Sequence, residues 1–337
     1  MIGVRHALFA AFLVAAATSA HADIWHRALT NGDAAHDVYD DAMRRGDDAA
    51  AMTRSVQISL SQTKLAIQRA IESYRAAAAA RPDAAEPYYR IGLLLDKSYF
   101  DCGVSRATPM GAPLTCDGAN WARGREALAA WDKFEQLSPL DPRVDDLLGE
   151  RAILRTKIYA SDPRDRTLLE AAARDYEASL ARADGFSFES STLGNLAETY
   201  MMLGDLDKAI EKYREARAAG APGSWSSVTL GLAVALDRDE RGDEALALIH
   251  ELSRDALEDF VDSVVRAKTT FFVPEGEEHY YFGLIDESIG DYRNAAREWS
   301  DFIASGAHPE YQPRAKAHIE AIVHGKLAHV PPRRDTR

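Results

Sequence analysis

Large apolar residues recur along this chain at spacings of three and four, the period of a helix face rather than the alternation of a strand. The clearest stretch is Ser190–Pro222. There Leu193, Leu196 and Tyr200 precede Gly204-Asp205, and Ala209, Tyr213 and Ala216 follow. The pattern predicts two antiparallel helices with Gly204 in the turn, where a left-handed backbone suits glycine. Ala197, Ala209 and Ala216 are small where the helices must cross closely, and Tyr213 fills the space between them. The second-helix pattern returns as Ala70, Tyr74, Ala77 and Pro82, as Ala127, Trp131, Phe134 and Pro139, and as Ala172, Tyr176 and Ser179. A last copy is Ala295, Trp299 and Phe302, led by Gly290-Asp291-Tyr292. First helices match at Tyr88, Ile91, Gly92 and Leu95, and at Leu147, Leu148, Gly149 and Ala152. A degenerate copy runs through Leu230, Gly231, Val234, Gly242, Ala245 and Ile249. One such unit cannot bury its apolar face alone, so a set of about five or six predicts helix pairs stacked on one another.

These residues resemble the tetratricopeptide repeat (TPR), over most of Met52–His308. The resemblance implies an all-α fold, a right-handed TPR-like α-solenoid of stacked antiparallel helix pairs. The spacing departs from the family between Leu95 and Ala127, and again between Ala152 and Ala172. The predicted organisation is a signal peptide at 1–22, an N-terminal helical cap at 23–51 and the solenoid at 52–308, with an insertion at 100–120. A capping helix at 309–326 and a disordered tail at 327–337 complete it.

The leading residues change where the chain is expected to act. Arg5 and His6 precede an apolar run, and Ala20-His21-Ala22 has the small-x-small pattern of a signal-peptidase site. The run is shorter than the roughly 20 residues of a spanning helix. The expectation is export, cleavage near Ala22 and a periplasmic or extracellular mature chain without stable membrane insertion. The formal net charge of −13 disfavours nucleic acid as a partner, and electrostatic recognition would select a basic one.

Cys102 and Cys116 are the only cysteines, and both lie in the insertion. In an oxidising compartment a bridge between them would close a Gly- and Pro-rich loop, an effect of roughly 3 kcal/mol. In a reducing one they would be free thiols. No C-x-x-C pair accompanies them, so a metal role is not expected.

In the repeat register, a set of first-helix residues and their neighbours faces the inner groove: Glu86, Tyr89, Leu93, Lys97, Arg143, Asp146, Glu150, Ser191, Asn195, Glu198, Trp225, Tyr280 and Glu287. Their mixed acidic and aromatic chemistry suits peptide recognition. The resemblance gives Asn195 the place of the asparagine with which peptide-binding members hold a ligand backbone. Members that grip a C-terminal carboxylate need several basic residues, and only Lys97 and Arg143 are available.

Elsewhere the plain reading prevails. Leu257, Phe260, Val261, Val264 and Val265 form the stripe of an extra core helix. Glu275, Glu277, Glu278 and His279 read as a solvated charge run, and His308, His318, His324 and His329 as surface residues. No phosphate loop, nucleophile elbow or dinucleotide fingerprint occurs. The acidic pairs lie on helices expected to be exposed, where they would titrate normally. The sequence therefore predicts a non-catalytic scaffold or adaptor for a protein or peptide, with no cofactor and no metal. The alternatives are a self-associating structural subunit of an envelope assembly (secretion, motility or outer-membrane machinery) and, behind it, an enzyme on a helical-repeat scaffold.

Overall fold

The computed structural model describes residues 24–37, 53–97, 121–161, 165–182, 189–220, 226–260 and 276–325. Among the described residues there is no strand. They divide into two compact units, with the boundary between Val144 and Asp145.

The first unit holds α1 (24–37), α2 (Thr53–Ala80), α3 (Glu86–Lys97), α4 (Trp121–Leu137) and the opening residues of α5 (Arg143–Ser161). The second holds the rest of α5 and α6 (Arg166–Arg182), α7 (Glu189–Leu203), α8 (Leu206–Ala219), α9 (Ser226–Arg238), α10 (Gly242–Glu251) and α11 (Arg254–Phe260). It continues through α12 (Glu278–Ser288), α13 (Tyr292–Ser305), a 3-10 turn at Pro309–Tyr311 and α14 (Gln312–Val323). Helices pack largely in chain order, α2 on α3 on α4 in the first unit and α6 through α10 in the second. There α12, α13 and α14 follow one another, and α12 also packs on α9 and α10.

The predicted apolar second-helix positions form the core, while Ser179 is only partly buried and Pro82 and Pro139 are exposed. Ala70, Tyr74, Ala77, Ala127, Trp131, Phe134, Ala172, Tyr176, Ala209, Tyr213, Ala216, Ala295, Trp299 and Phe302 are all buried. The large side chains need small residues opposite them. A Cβ added to Gly92 would stand 2.2 Å from the Trp131 ring, and one added to Gly283 would stand 2.6 Å from Trp299. In the degenerate copy Gly231 makes the same room for Tyr213.

Two hairpin turns share one construction. Gly204 and Gly290 take φ of 79° and 78°, and the next amide donates back to Tyr200 and Asp286 at 2.9 and 2.8 Å. Asp205 and Asp291 then cap α8 and α13 by accepting from the amides of Lys208 and Asn294. The Gly-Asp pair thus ends one helix and starts the next. In the α9–α10 turn Glu240 occupies the glycine position with φ 62°, and Arg241 replaces the aspartate without a side-chain cap.

Of the predicted extra helix, α11 buries Leu257 and Phe260, while Val261, Val264 and Val265 lie outside the described residues. Trp225, Cys102 and Cys116 also lie outside them, as do the leader, the insertion at 100–120, the tail and His329.

Candidate functional site

The predicted groove residues fall into two groups of different character. In the first unit Glu86, Tyr89 and Leu93 share one face of α3 and are partly exposed, and Lys97 is the last residue of that helix. Arg143, at the start of α5, joins them. Its guanidinium stands 4.5 Å above the Tyr89 ring and 5.2 Å from Phe134, and Nη1 donates to Glu86 Oε2 at 2.7 Å. Asp141 holds the same guanidinium through Oδ1 and Oδ2, at 3.0 and 2.8 Å. Burial pushes the Glu86 carboxyl up, but Arg143 and Arg90 outweigh it and hold the group below its ordinary range. The result is a fixed aromatic–arginine cluster that still meets solvent, with the Arg143 side chain 37% exposed.

In the second unit Asp146, Glu150 and Ser191 are exposed and Asn195 is partly exposed. Glu198, Tyr280 and Glu287 are buried, and Tyr280 has no exposure at all. These three do not face an open groove: Glu198 meets Tyr213 of α8, Tyr280 meets Asp237 and Arg238 of α9, and Glu287 meets Trp299 of α13 and His318 of α14. Together they belong to a buried polar network that links helices far apart in sequence.

His318 of α14 is the centre of one half. Its Nδ1 bonds Glu287 Oε1 at 2.9 Å and its Nε2 bonds Asp237 Oδ2 at 3.0 Å, while its ring stacks on Trp299 at 4.4 Å. Burial pushes the imidazole down, but the two carboxylates outweigh it and raise it to about 9. Both ring nitrogens therefore donate, as an imidazolium must. Asp237 also accepts from Tyr280 Oη at 2.7 Å and from Arg314 Nη2 at 2.5 Å. Burial raises Asp237, yet His318 and Arg314 hold it well below the usual carboxylate range. Glu287 accepts in addition from Trp299 Nε1 at 2.7 Å.

Arg238, the residue after Asp237, anchors the other half. Its side chain is fully buried between the rings of Tyr280 and Tyr311, 4.8 and 4.3 Å from their centroids. Nη2 donates to Glu277 Oε1 at 2.5 Å, and His308 Nε2 stands 3.3 Å from Glu277 Oε2. Burial pushes Glu277 up, but Arg238 and His308 bring it to about 2. Glu198 behaves oppositely. Its Oε2 accepts from Tyr213 Oη and its Oε1 is buried without a partner. Burial, reinforced by the negative charge of Glu277, pushes Glu198 up to about 8.

Three readings of the sequence are corrected here. Glu277 belongs to a buried ion pair and not to a solvated run, and His318 is a core residue and not a surface one. Glu198, Tyr280 and Glu287 are enclosed and do not line a groove. The partners explain why these were missed: Asp237 and His318 lie 81 residues apart, and Arg238 and Glu277 lie 39 apart. No local spacing marks such a pair.

The architecture defines an all-α helical-repeat protein, made of paired adjacent helices with aromatic residues seated against small ones. No family model matches the chain, and no curated protein does. Among solved structures a crystal structure of MamA protein is similar, at 18% identity over 69% of this chain and 94% of that one, with a TM-score of 0.40. So remote a likeness bears on neither the activity nor the partners of this chain.

Proposed function

We propose that this protein is a non-catalytic scaffold that holds a protein or peptide segment against the α3 face of its first unit, and that it does so after export from the cytosol. The observation that carries the reading is the Glu86–Tyr89–Arg143 cluster. Its aromatic ring is fixed in place, capped by a guanidinium and partly open to solvent. Fixed aromatic and arginine side chains are the residue types that dominate protein interfaces, because little conformational entropy is lost when a partner covers them. The second unit offers a different surface. Asp146 and Glu150 are exposed on α5, and their charge favours a basic partner.

The test is photocrosslinking in native envelope, with the reactive group placed at Leu93, followed by mass spectrometry. A recurrent protein partner whose yield falls about tenfold or more in Tyr89→Ala and Arg143→Ala supports the reading. Equal yields in both variants would remove the α3 face. Glu150→Lys separates the acidic contribution, since a basic partner is then lost preferentially at low salt. Glu198 cannot serve for that purpose: its reversal would place a cation inside the core.

A further inference from the structure

We propose that the seam between α12 and α13 carries a divalent-metal site of the zinc-binding class, formed by His279, Glu298 and Asp301. One donor atom from each of the three side chains lies within 4.8 Å of the other two. His279 is the second residue of α12, and Glu298 and Asp301 stand three apart on α13, a spacing that puts both carboxylates on one face. An imidazole nitrogen with two carboxylate oxygens is a donor set that borderline cations such as Zn²⁺ accept, with a fourth position left for water.

The three ligands sit at graded depth. Glu298 is buried, His279 partly exposed and Asp301 exposed, so an ion has a path from solvent to a fixed inner carboxylate. Arg297 Nη2 bonds Glu298 Oε1 at 3.0 Å from outside the trio, an outer contact of the kind that aims a ligand at a metal. His279 Nδ1 bonds Glu298 Oε2 at 2.8 Å, which brings the ring and the carboxylate together at the place where an ion would replace that bond. Asp301 makes no hydrogen bond or ion pair among the described residues. Glu298 and Asp301 thus present two carboxylates beside one imidazole, and a divalent cation would bridge them. This inference is independent of partner binding at α3.

The experiment titrates the full chain with Zn²⁺ by calorimetry and with Co²⁺ by visible absorption, whose ligand-field bands report nitrogen and oxygen donors. The expected result is one equivalent bound, with affinity about tenfold or more weaker in His279→Ala and in Asp301→Asn. Both substitutions lie at solvent-accessible positions, and circular dichroism verifies that the helices persist. No uptake by the wild type at millimolar metal would overturn the proposal. Uptake that His279→Ala leaves unchanged would overturn it equally, by placing the metal on other histidines.

Discussion

Glu240 holds a backbone conformation that the matching turns assign to glycine. At φ 62° it stands where Gly204 and Gly290 stand, and the amide after it donates to Leu236 at 2.9 Å as in the other two turns. An L-residue in the left-handed region costs about 1 kcal/mol, because its Cβ crowds the adjoining carbonyl. The Glu240 side chain is exposed, so little packing offsets that cost. Glu240→Gly should therefore stabilise the protein by about 1 kcal/mol, visible as a melting temperature a few degrees higher. A lower melting temperature would mean that the extra freedom of the unfolded glycine chain outweighs the relief of strain. The glycines opposite aromatic rings act differently. Gly92 and Gly283 provide space for Trp131 and Trp299, a requirement of packing and not of φ.

At the scale of elements, α14 is held by charge as much as by apolar contact. Besides the buried Ala315, it contributes His318 and Arg314, both bonded to Asp237 of α9. No local spacing marks how this element is fastened. Removing one member of a buried charged network leaves the others desolvated and uncompensated, at a cost of about 3–5 kcal/mol. His318→Ala strips the imidazolium from both Asp237 and Glu287. Its effect should concentrate on α14, with amide exchange across 312–323 accelerating well before that of α7 and α8. Uniform acceleration across the unit would show instead that α14 opens only with global unfolding.

For the whole molecule, the buried ionisable groups set a pH window of greatest stability. Glu198 is raised from 4.5 to about 8, so its contribution is complete below 4.5 and lost as pH rises through 8. His318 is raised from 6.5 to about 9, so its contribution is complete below 6.5 and lost as pH rises through 9. Glu277 is lowered from 4.5 to about 2, so its contribution is present above 4.5 and lost as pH falls through 2. Stability should peak near pH 4.5, decline above it as the Glu198 contribution is lost, and decline more steeply above 6.5 once His318 adds its loss. Glu198→Gln mimics the protonated acid and removes part of that decline. Thermal melts between about pH 5 and pH 8 should show the variant gaining on the wild type as pH rises. Parallel curves would exclude Glu198 as a source of the slope.

Spacing alone was enough to read the helix pairs, since Ala209, Tyr213 and Ala216 or Ala295, Trp299 and Phe302 must share a face once the chain is helical. The turn at Gly204 was legible for the same local reason: a left-handed residue acts within a few positions of itself, whereas the caps made by Asp205 and Asp291 emerge only from the structure. The groove residues were legible only as positions on a face, because exposure depends on what packs above it. Tyr89 and Arg143 remained partly open, whereas Glu198, Tyr280 and Glu287 were enclosed by side chains from other helices. The pairing of Asp237 with His318, of Arg238 with Glu277 and of His279 with Glu298 belongs to tertiary structure alone. Those partners meet because whole helices stack, and a charge whose counterpart lies far along the chain leaves no periodic trace in the sequence.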